Sequence, residues 1–224
     1  MTKQRCFPIF VMILILGLSA CTGGTKNVSL KQSKAFPIPL VEAYPLNLGS
    51  FYAPEFIDYT YSIQAKRTSR GVTKVISTTN VQLGEPQINM FNSVLNGMFN
   101  SVTPVTSVNV GEIPAQLDAV LVPTVIDFQY ANPRVTRQNV YEVWIKYRIR
   151  LLAPDGTKIA DFTIPAYGKT PSALLKTEAA AINSAAIVAL RDVGASLITR
   201  FEREPDVNAW LAGKNLLLHS KEEK

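Results

Sequence analysis

Few side chains in this sequence have the types and spacing that support catalysis. His219 is the only imidazole, and the two cysteines, Cys6 and Cys21, lie near the amino terminus. This set does not suffice for a zinc site of Cys and His ligands, and His219 stands beside a charged tail rather than near a nucleophile. The motifs GxSxG, GxGxxG and GxxxxGK[ST] do not occur. The sequence therefore predicts a protein that is not an enzyme, with no metal and no cofactor.

Carboxylates are the one remaining route to catalysis, because a pair of them can act as acid and base in a hydrolase. The candidates are scattered along predicted strands and turns: Asp118, Asp127, Glu142, Asp155 and Asp161. Solvated roles are more common for carboxylates in such positions. A carboxylate hydrolase is therefore the least favoured function.

One predicted strand carries a row of cations on alternating positions. Lys146, Arg148 and Arg150 share a parity with Trp144, while the intervening residues are apolar. Alternation places successive side chains of one face about 7 Å apart, close enough to bind a polyanion together. We predict a candidate face for an anionic ligand or a partner at Trp144, Lys146, Arg148 and Arg150. The alternatives are a merely solvated face or a cationic edge strand that resists sheet pairing.

The amino terminus has the pattern of a secretory signal. Lys3 and Arg5 precede an apolar run from Cys6 to Leu18 that is too short for a transmembrane helix. We predict a signal peptide over residues 1–20. Its removal lowers the formal net charge from +6 to +4, a mildly basic balance that does not indicate a nucleic-acid partner.

The run ends in Leu18-Ser19-Ala20-Cys21, which resembles the lipobox of bacterial lipoproteins. The resemblance implies that the Cys21 thiol is diacylglycerylated, that the preceding peptide is cut and that the new amino terminus is acylated, palmitate being a typical chain. Several acyl chains on one residue anchor a protein firmly to a membrane. Thr22 in place of Asp implies an outer-membrane lipoprotein that faces the periplasm. The alternative is an ordinary signal peptide with a chance cysteine.

The mature chain is predicted to contain a tether, one domain and a tail. Residues 21–43 form the lipidated Cys21 and a polar tether punctuated by Gly and Pro. Residues 44–212 form a single periplasmic α/β domain, and 213–224 form a polar tail. The hydrophobic fraction of 47% is sufficient for a core.

Periodicity predicts the elements of the domain. A half-buried strand is expected over 57–63, a basic turn over 66–71 and an extended segment over 72–83. Apolar residues spaced by three and four predict a helix over about 86–102 that Pro104 ends. An antiparallel meander is expected near 119–167. A long, Ala-rich helix follows over about 172–203, with Pro205 at its end and a short clasp at Trp210 and Leu211.

These elements predict an α+β fold, a two-layer domain with a mainly antiparallel sheet and two helices on one face. Their order over residues 44–203 is similar to that of the lipopolysaccharide-assembly lipoprotein family, although the segment near 52–83 is additional. This resemblance implies a sheet with basic residues, an envelope protein partner and contact with lipopolysaccharide. Other periplasmic accessory lipoproteins share this order. The expected function is an accessory or assembly subunit of a cell-envelope machine, and the alternative is a binding protein for an anionic lipid.

Overall fold

The computed structural model of the protein describes residues 24–31, 36, 39, 42–172 and 177–216. The predicted signal peptide, Cys21, His219 and most of the predicted tail lie outside the described residues. The described residues contain eight strands: β1 Gly24–Ser29, β2 Tyr44–Ser50, β3 Thr60–Ser69, β4 Val72–Gln82, β5 Phe99–Pro104, β6 Ala119–Ala131, β7 Val140–Leu152 and β8 Lys158–Pro171. The α-helices are α1 Pro54–Ile57, α2 Gly84–Met98, α3 Pro133–Thr136, α4 Glu178–Arg200 and α5 Pro205–Gly213, with a 3₁₀ turn at Phe201–Arg203.

The strands form two sheets. The central sheet has five strands in the order β5-β2-β6-β7-β8, and the smaller sheet has three in the order β1-β4-β3. Strands β6, β7 and β8 pair antiparallel, which confirms the predicted meander, while β2 is parallel to both β5 and β6. The α+β fold class is thereby confirmed.

Helices α2 and α4 cover one face of the central sheet. Strand β7 shows why, because its alternate residues Val143, Ile145, Tyr147, Ile149 and Leu151 are buried. Helix α4 turns a row of small and branched residues toward these strands. This row comprises Ala181, Ile182, Ala185, Ala186, Ala189, Leu190, Val193 and Leu197. The span Glu178–Arg203 is long and apolar enough to cross a membrane, but more than half of its apolar window is buried in this core.

The opposite face of the central sheet is covered at one end only. Val120 and Val122 of β6 pack there with Ile113 and Leu117, which lie in the connection between β5 and β6. The β7 side chains of that face therefore remain accessible over most of the strand, as the predicted wet face requires.

The helix predicted over 86–102 ends earlier than expected, at Met98. Phe99 is extended, with φ −125° and ψ 152°, and residues Phe99–Pro104 form β5. Val102 therefore lies in a strand, and Pro104 ends that strand rather than the helix. The physical reason is pairing with β2, which satisfies the backbone groups that helical hydrogen bonds would otherwise take.

Residues 60–82 form a hairpin whose strands are longer than predicted. Residues Pro54–Ile57 are helical, and β3 begins only at Thr60. Lys66 and Arg67 continue the strand instead of forming a turn. The turn itself is Arg70-Gly71, where φ is +49° and +77°. Two consecutive positive φ values match the tight two-residue turns that suit the twist of a β-hairpin.

Part of the predicted tether over 21–43 is tied to the domain. Residues Gly24–Ser29 form β1, which runs parallel to β4 with Gly24 opposite Ser77. Val28 and Leu30 are buried, as is Phe36. The apolar residues of this polar segment thus contribute to the core, and the open edge of β4 supplies hydrogen-bonding partners.

The carboxyl-terminal helices also refine the prediction. The helix predicted over 172–203 starts later, because α4 begins at Glu178. The Thr177 side chain caps α4 by accepting a hydrogen bond from the Ala180 N–H. Pro205 occupies the first turn of α5, which carries Trp210 and the buried Leu211 as the expected clasp. Leu216 packs against the same core, so the ordered domain extends past residue 213.

Candidate functional site: the basic face of the central sheet

The basic row lies on an inner strand of the central sheet. Strand β7 pairs with β6 on one side and β8 on the other. Trp144, Lys146 and Arg148 are exposed and Arg150 is half-buried, on the side opposite the helices. The interpretation as a protected edge strand is therefore wrong, because neither edge of β7 is open. We call Trp144, Lys146, Arg148 and Arg150 the basic face.

Arg148 is held by a carboxylate of the neighbouring strand. Its Nε donates to Asp161 Oδ1 at 2.7 Å, and its Nη2 donates to Asp161 Oδ2. This two-point geometry orients the guanidinium along the sheet surface. The hydrogen bond from Arg148 holds the pKa of Asp161 below its ordinary value, so Asp161 stays ionised and offsets one positive charge of the face.

Asp161 is surrounded by more cations than it can balance. Arg150 lies directly opposite Asp161 in the β7–β8 register, and Lys158 precedes it on β8. The charges of Arg148, Lys158 and Arg150 all lower the pKa of Asp161. This end of the face thus combines three positive charges with one negative charge, an excess that attracts anions.

Lys146 has a weaker acidic neighbour. Asp127 of β6 lies opposite it in the register, and Asp127 Oδ2 accepts a hydrogen bond from Gln129 Nε2 at 2.7 Å. Within the described part of the chain, neither Lys146 nor Arg150 forms an ion pair. Both cations remain available to an external anion.

Trp144 has an aromatic neighbour at the other end of the row. Its ring centroid lies 5.2 Å from that of Tyr167, and 37% of the Trp144 surface is exposed. The Tyr167 hydroxyl donates to Glu142 Oε1 at 2.8 Å. Trp144 and Tyr167 thus form a partly exposed aromatic pair with a fixed orientation, the kind of surface that suits an amphipathic contact.

Other predicted cations do not join this face. Arg134 and Arg137 lie in the connection between β6 and β7, which the register places at the Trp144 end and far from Arg150. Arg67 and Arg70 lie on the separate β3–β4 hairpin. Sequence reasoning missed Lys158 as a member of the face, because Lys158 has the parity of the buried Ala160, and only the register shift in the β7–β8 pairing places it opposite Leu152.

The five carboxylates considered for a hydrolase have separate surroundings. Asp118 pairs with Lys214 at 2.8 Å, Asp155 accepts from Thr157, and Glu142 accepts from Tyr167. Burial tends to raise the pKa of Asp118, but the hydrogen bonds from Lys214 and from the Asn47 N–H lower it below its ordinary value. Among the described residues, no three His, Cys, Asp or Glu side chains are grouped as metal ligands.

Comparison with solved structures finds proteins whose fold is similar to that of this chain. The chain is similar to a Xanthomonas campestris protein described by the DUF330 family model, with a TM-score of 0.50, 16% identity, and coverage of 85% of this chain and 97% of that one. It is also similar to a minor lipoprotein from Acinetobacter baumannii, with a TM-score of 0.41, 10% identity, and coverage of 71% and 92%. No protein-family model and no curated protein matches the chain significantly. At these identities the likeness concerns the α+β architecture alone.

Proposed function

We propose that this protein is a lipoprotein, anchored to the outer membrane through acylated Cys21, that serves as a non-enzymatic accessory or assembly subunit of a cell-envelope machine. The observation that carries the proposal is the Leu18-Ser19-Ala20-Cys21 sequence at the end of a short signal-like run. Strand β1 begins only three residues after Cys21 and belongs to the smaller sheet. An acylated Cys21 would therefore hold the domain against the membrane surface rather than on a long tether.

Acylation is tested by metabolic labelling with an alkyne analogue of palmitate in a bacterial host. We expect label on the wild-type protein and on Cys6→Ala, and none on Cys21→Ala. Cys6→Ala is the matched control, because it removes the other cysteine of the chain. Label that persists in Cys21→Ala, or that is missing from the wild-type protein, would refute the anchor.

The membrane is tested separately, by fractionation of the two membranes on a density gradient. The sorting rule that the lipobox resemblance implies places the wild-type protein in the outer membrane and Thr22→Asp in the inner membrane. The accessory role is tested by crosslinking in cells and purification from solubilised membranes. Recovery of the protein without any stoichiometric envelope partner would count against this role.

The second candidate function is binding of an anionic lipid or lipopolysaccharide through the basic face. Three cations around the single carboxylate of Asp161 favour it. The test measures the binding of fluorescent lipopolysaccharide to the detergent-purified protein. We expect the double variant Lys146→Glu/Arg150→Glu to lose most of the affinity, and Arg134→Glu, a cation outside the face, to keep it. Equal affinity in both variants would reject the face as a ligand site.

A further inference from the structure

The β3–β4 hairpin extends beyond the rest of its sheet. Strand β1 pairs with β4 only from Ser77 to Gln82, whereas the hairpin continues to its turn at Arg70-Gly71. We call residues 66–76 the arm. Three large apolar side chains of the arm are exposed, with 56% of Val72, 48% of Val75 and 47% of Ile76 accessible. Exposed Val and Ile on both sides of a projecting hairpin make the arm a candidate surface for a partner or a membrane.

The charge of the arm has a single sign. It carries Lys66, Arg67, Arg70 and Lys74, and the sequence has no Asp or Glu between Asp58 and Glu85. Within the described residues these four cations form no ion pair. The arm is therefore both apolar and strongly positive, a combination suited to an anionic surface with an apolar interior.

The two kinds of side chain are sorted on one side of the arm. A shallow groove there is lined by Arg67, Ser69, Arg70, Val72, Lys74 and Ile76. The pairing of Arg67 with Lys74 and of Ser69 with Val72 confirms that these residues share a face. Two branched apolar side chains thus lie among three cations. Val75 lies opposite Lys66, on the other side of the hairpin.

The direction of β1 relates the arm to the predicted anchor. Because β1 is parallel to β4 and Gly24 is opposite Ser77, the amino end of β1 lies at the base of the arm. Cys21 is three residues before Gly24, so its Cα lies within about 11 Å of Gly24 in any conformation. The acyl chains would therefore enter the membrane beside the arm.

We propose that the arm is a second membrane contact, with Val72 and Ile76 in the interfacial layer of an anionic bilayer and Arg67, Arg70 and Lys74 on its headgroups. The proposal rests on the proposed acylation of Cys21. Lipid chains and a basic, apolar patch act together, because each limits how far the other can leave the bilayer. Two attachment points also fix how the domain is oriented over the membrane, which a single flexible anchor would not do.

A fluorescent probe attached to the arm of the acylated protein tests this membrane contact. Cleavage removes Cys6 and acylation blocks Cys21, so Val72→Cys leaves one reactive thiol in the mature chain. The thiol is labelled with the environment-sensitive fluorophore NBD, and the protein is reconstituted into vesicles of 70% phosphatidylcholine and 30% phosphatidylglycerol. We expect blue-shifted NBD emission that lipids with a doxyl spin label quench. The matched control is Val110→Cys, an exposed valine outside the arm with 75% of its surface accessible, where we expect neither effect.

Charge dependence gives a second readout. We expect each of Arg67→Gln, Arg70→Gln and Lys74→Gln to lower the ratio of inserted to released arm by about five-fold at low salt, since one cation near an anionic surface contributes roughly that factor. Quenching that persists in the triple variant, or that is equal in vesicles of pure phosphatidylcholine, would overturn the role of the cations.

Each outcome of the labelling experiment supports or overturns the membrane contact of the arm. Label at residue 72 that is neither shifted nor quenched would overturn the membrane contact. Label that is shifted but not quenched by spin-labelled lipid would also overturn it, in favour of contact with a second copy of the chain. Mass spectrometry of the same sample shows whether Cys21 is acylated, which separates failure of the anchor from failure of the arm. These variants alter exposed side chains, and unchanged thermal unfolding serves as the folding control.

Discussion

The substitution Gly168→Ala tests how closely helix α4 approaches the central sheet. Gly168 lies in β8, and a Cβ atom built there would come within 1.9 Å of the Ala185 carbonyl oxygen and 2.5 Å of the Ala189 nitrogen. Both atoms belong to the backbone of α4, so no side-chain rotation can relieve the clash. We expect this single methyl group to force the helix away from the sheet.

The size of the expected destabilisation follows from these two short distances. Real Cβ contacts are essentially never shorter than 3.0 Å, so α4 must shift outward by about 1 Å and loosen the buried contacts on either side, at a cost of about 3 kcal/mol. With a urea slope of about 2 kcal/mol per M, the unfolding midpoint should fall by about 1.5 M. The assay is urea unfolding followed by circular dichroism, with the slope fitted separately for each variant.

The matched control is Gly213→Ala in the last turn of α5, where an added Cβ meets no heavy atom within 4 Å. We expect its stability to be unchanged or to rise by up to about 1 kcal/mol, because Ala favours a helix over Gly. A Gly168→Ala protein within about 0.5 kcal/mol of wild type would refute the close approach of α4 to β8, since overpacking of this kind costs more than that.

Three further predictions concern polar groups. Tyr44→Phe removes a 2.9 Å hydrogen bond from the Tyr44 hydroxyl to the buried Glu202 Oε2, and urea unfolding should show a loss of about 1–3 kcal/mol. Asp161→Asn removes the partner of Arg148 on an exposed surface, so the free energy of unfolding should change by less than about 1 kcal/mol. If the basic face binds lipopolysaccharide, the affinity of this variant for fluorescent lipopolysaccharide should rise. Unchanged affinity would count against that face. Burial raises the pKa of Tyr147 well above its ordinary value, so the unfolded chain releases protons above about pH 10 that the folded chain retains. Stability should fall as pH rises past that point, and Tyr147→Phe should make the fall shallower.

Local patterns account for the elements that the sequence predicts well. The alternation in β7 separates Ile145, Tyr147 and Ile149 from Lys146 and Arg148, and the structure keeps that separation. A strand's two faces follow from its backbone geometry alone, whatever its neighbours. The Ala-rich stripe of α4 likewise predicts close packing on a sheet, although the role of Gly168 beneath it is not visible in any periodicity.

Pairing between distant segments explains where the structure differs from the elements that the sequence predicts. Phe99–Pro104 continues a helical pattern in the sequence, yet the backbone of β2 offers hydrogen bonds that make it a strand. Residues Gly24–Ser29 look like a tether because their polar composition hides the single buried position, Val28, and only the free edge of β4 makes them a strand. Such preferences depend on which segment lies alongside, which a window of neighbouring residues cannot contain.

The features of the candidate site also fall into those that local sequence predicts and those that depend on the tertiary structure. The types and spacing of residues 18–21 and of the basic row are local, so the amino-acid sequence was sufficient to predict a lipobox and a row of cations on one strand face. The fold decided that β7 is an inner strand, that Asp161 and Lys158 join the basic face, and that the arm projects beside the start of β1. Charges and chain ends interact through space. Their neighbours therefore become known only when the strands have been placed in order.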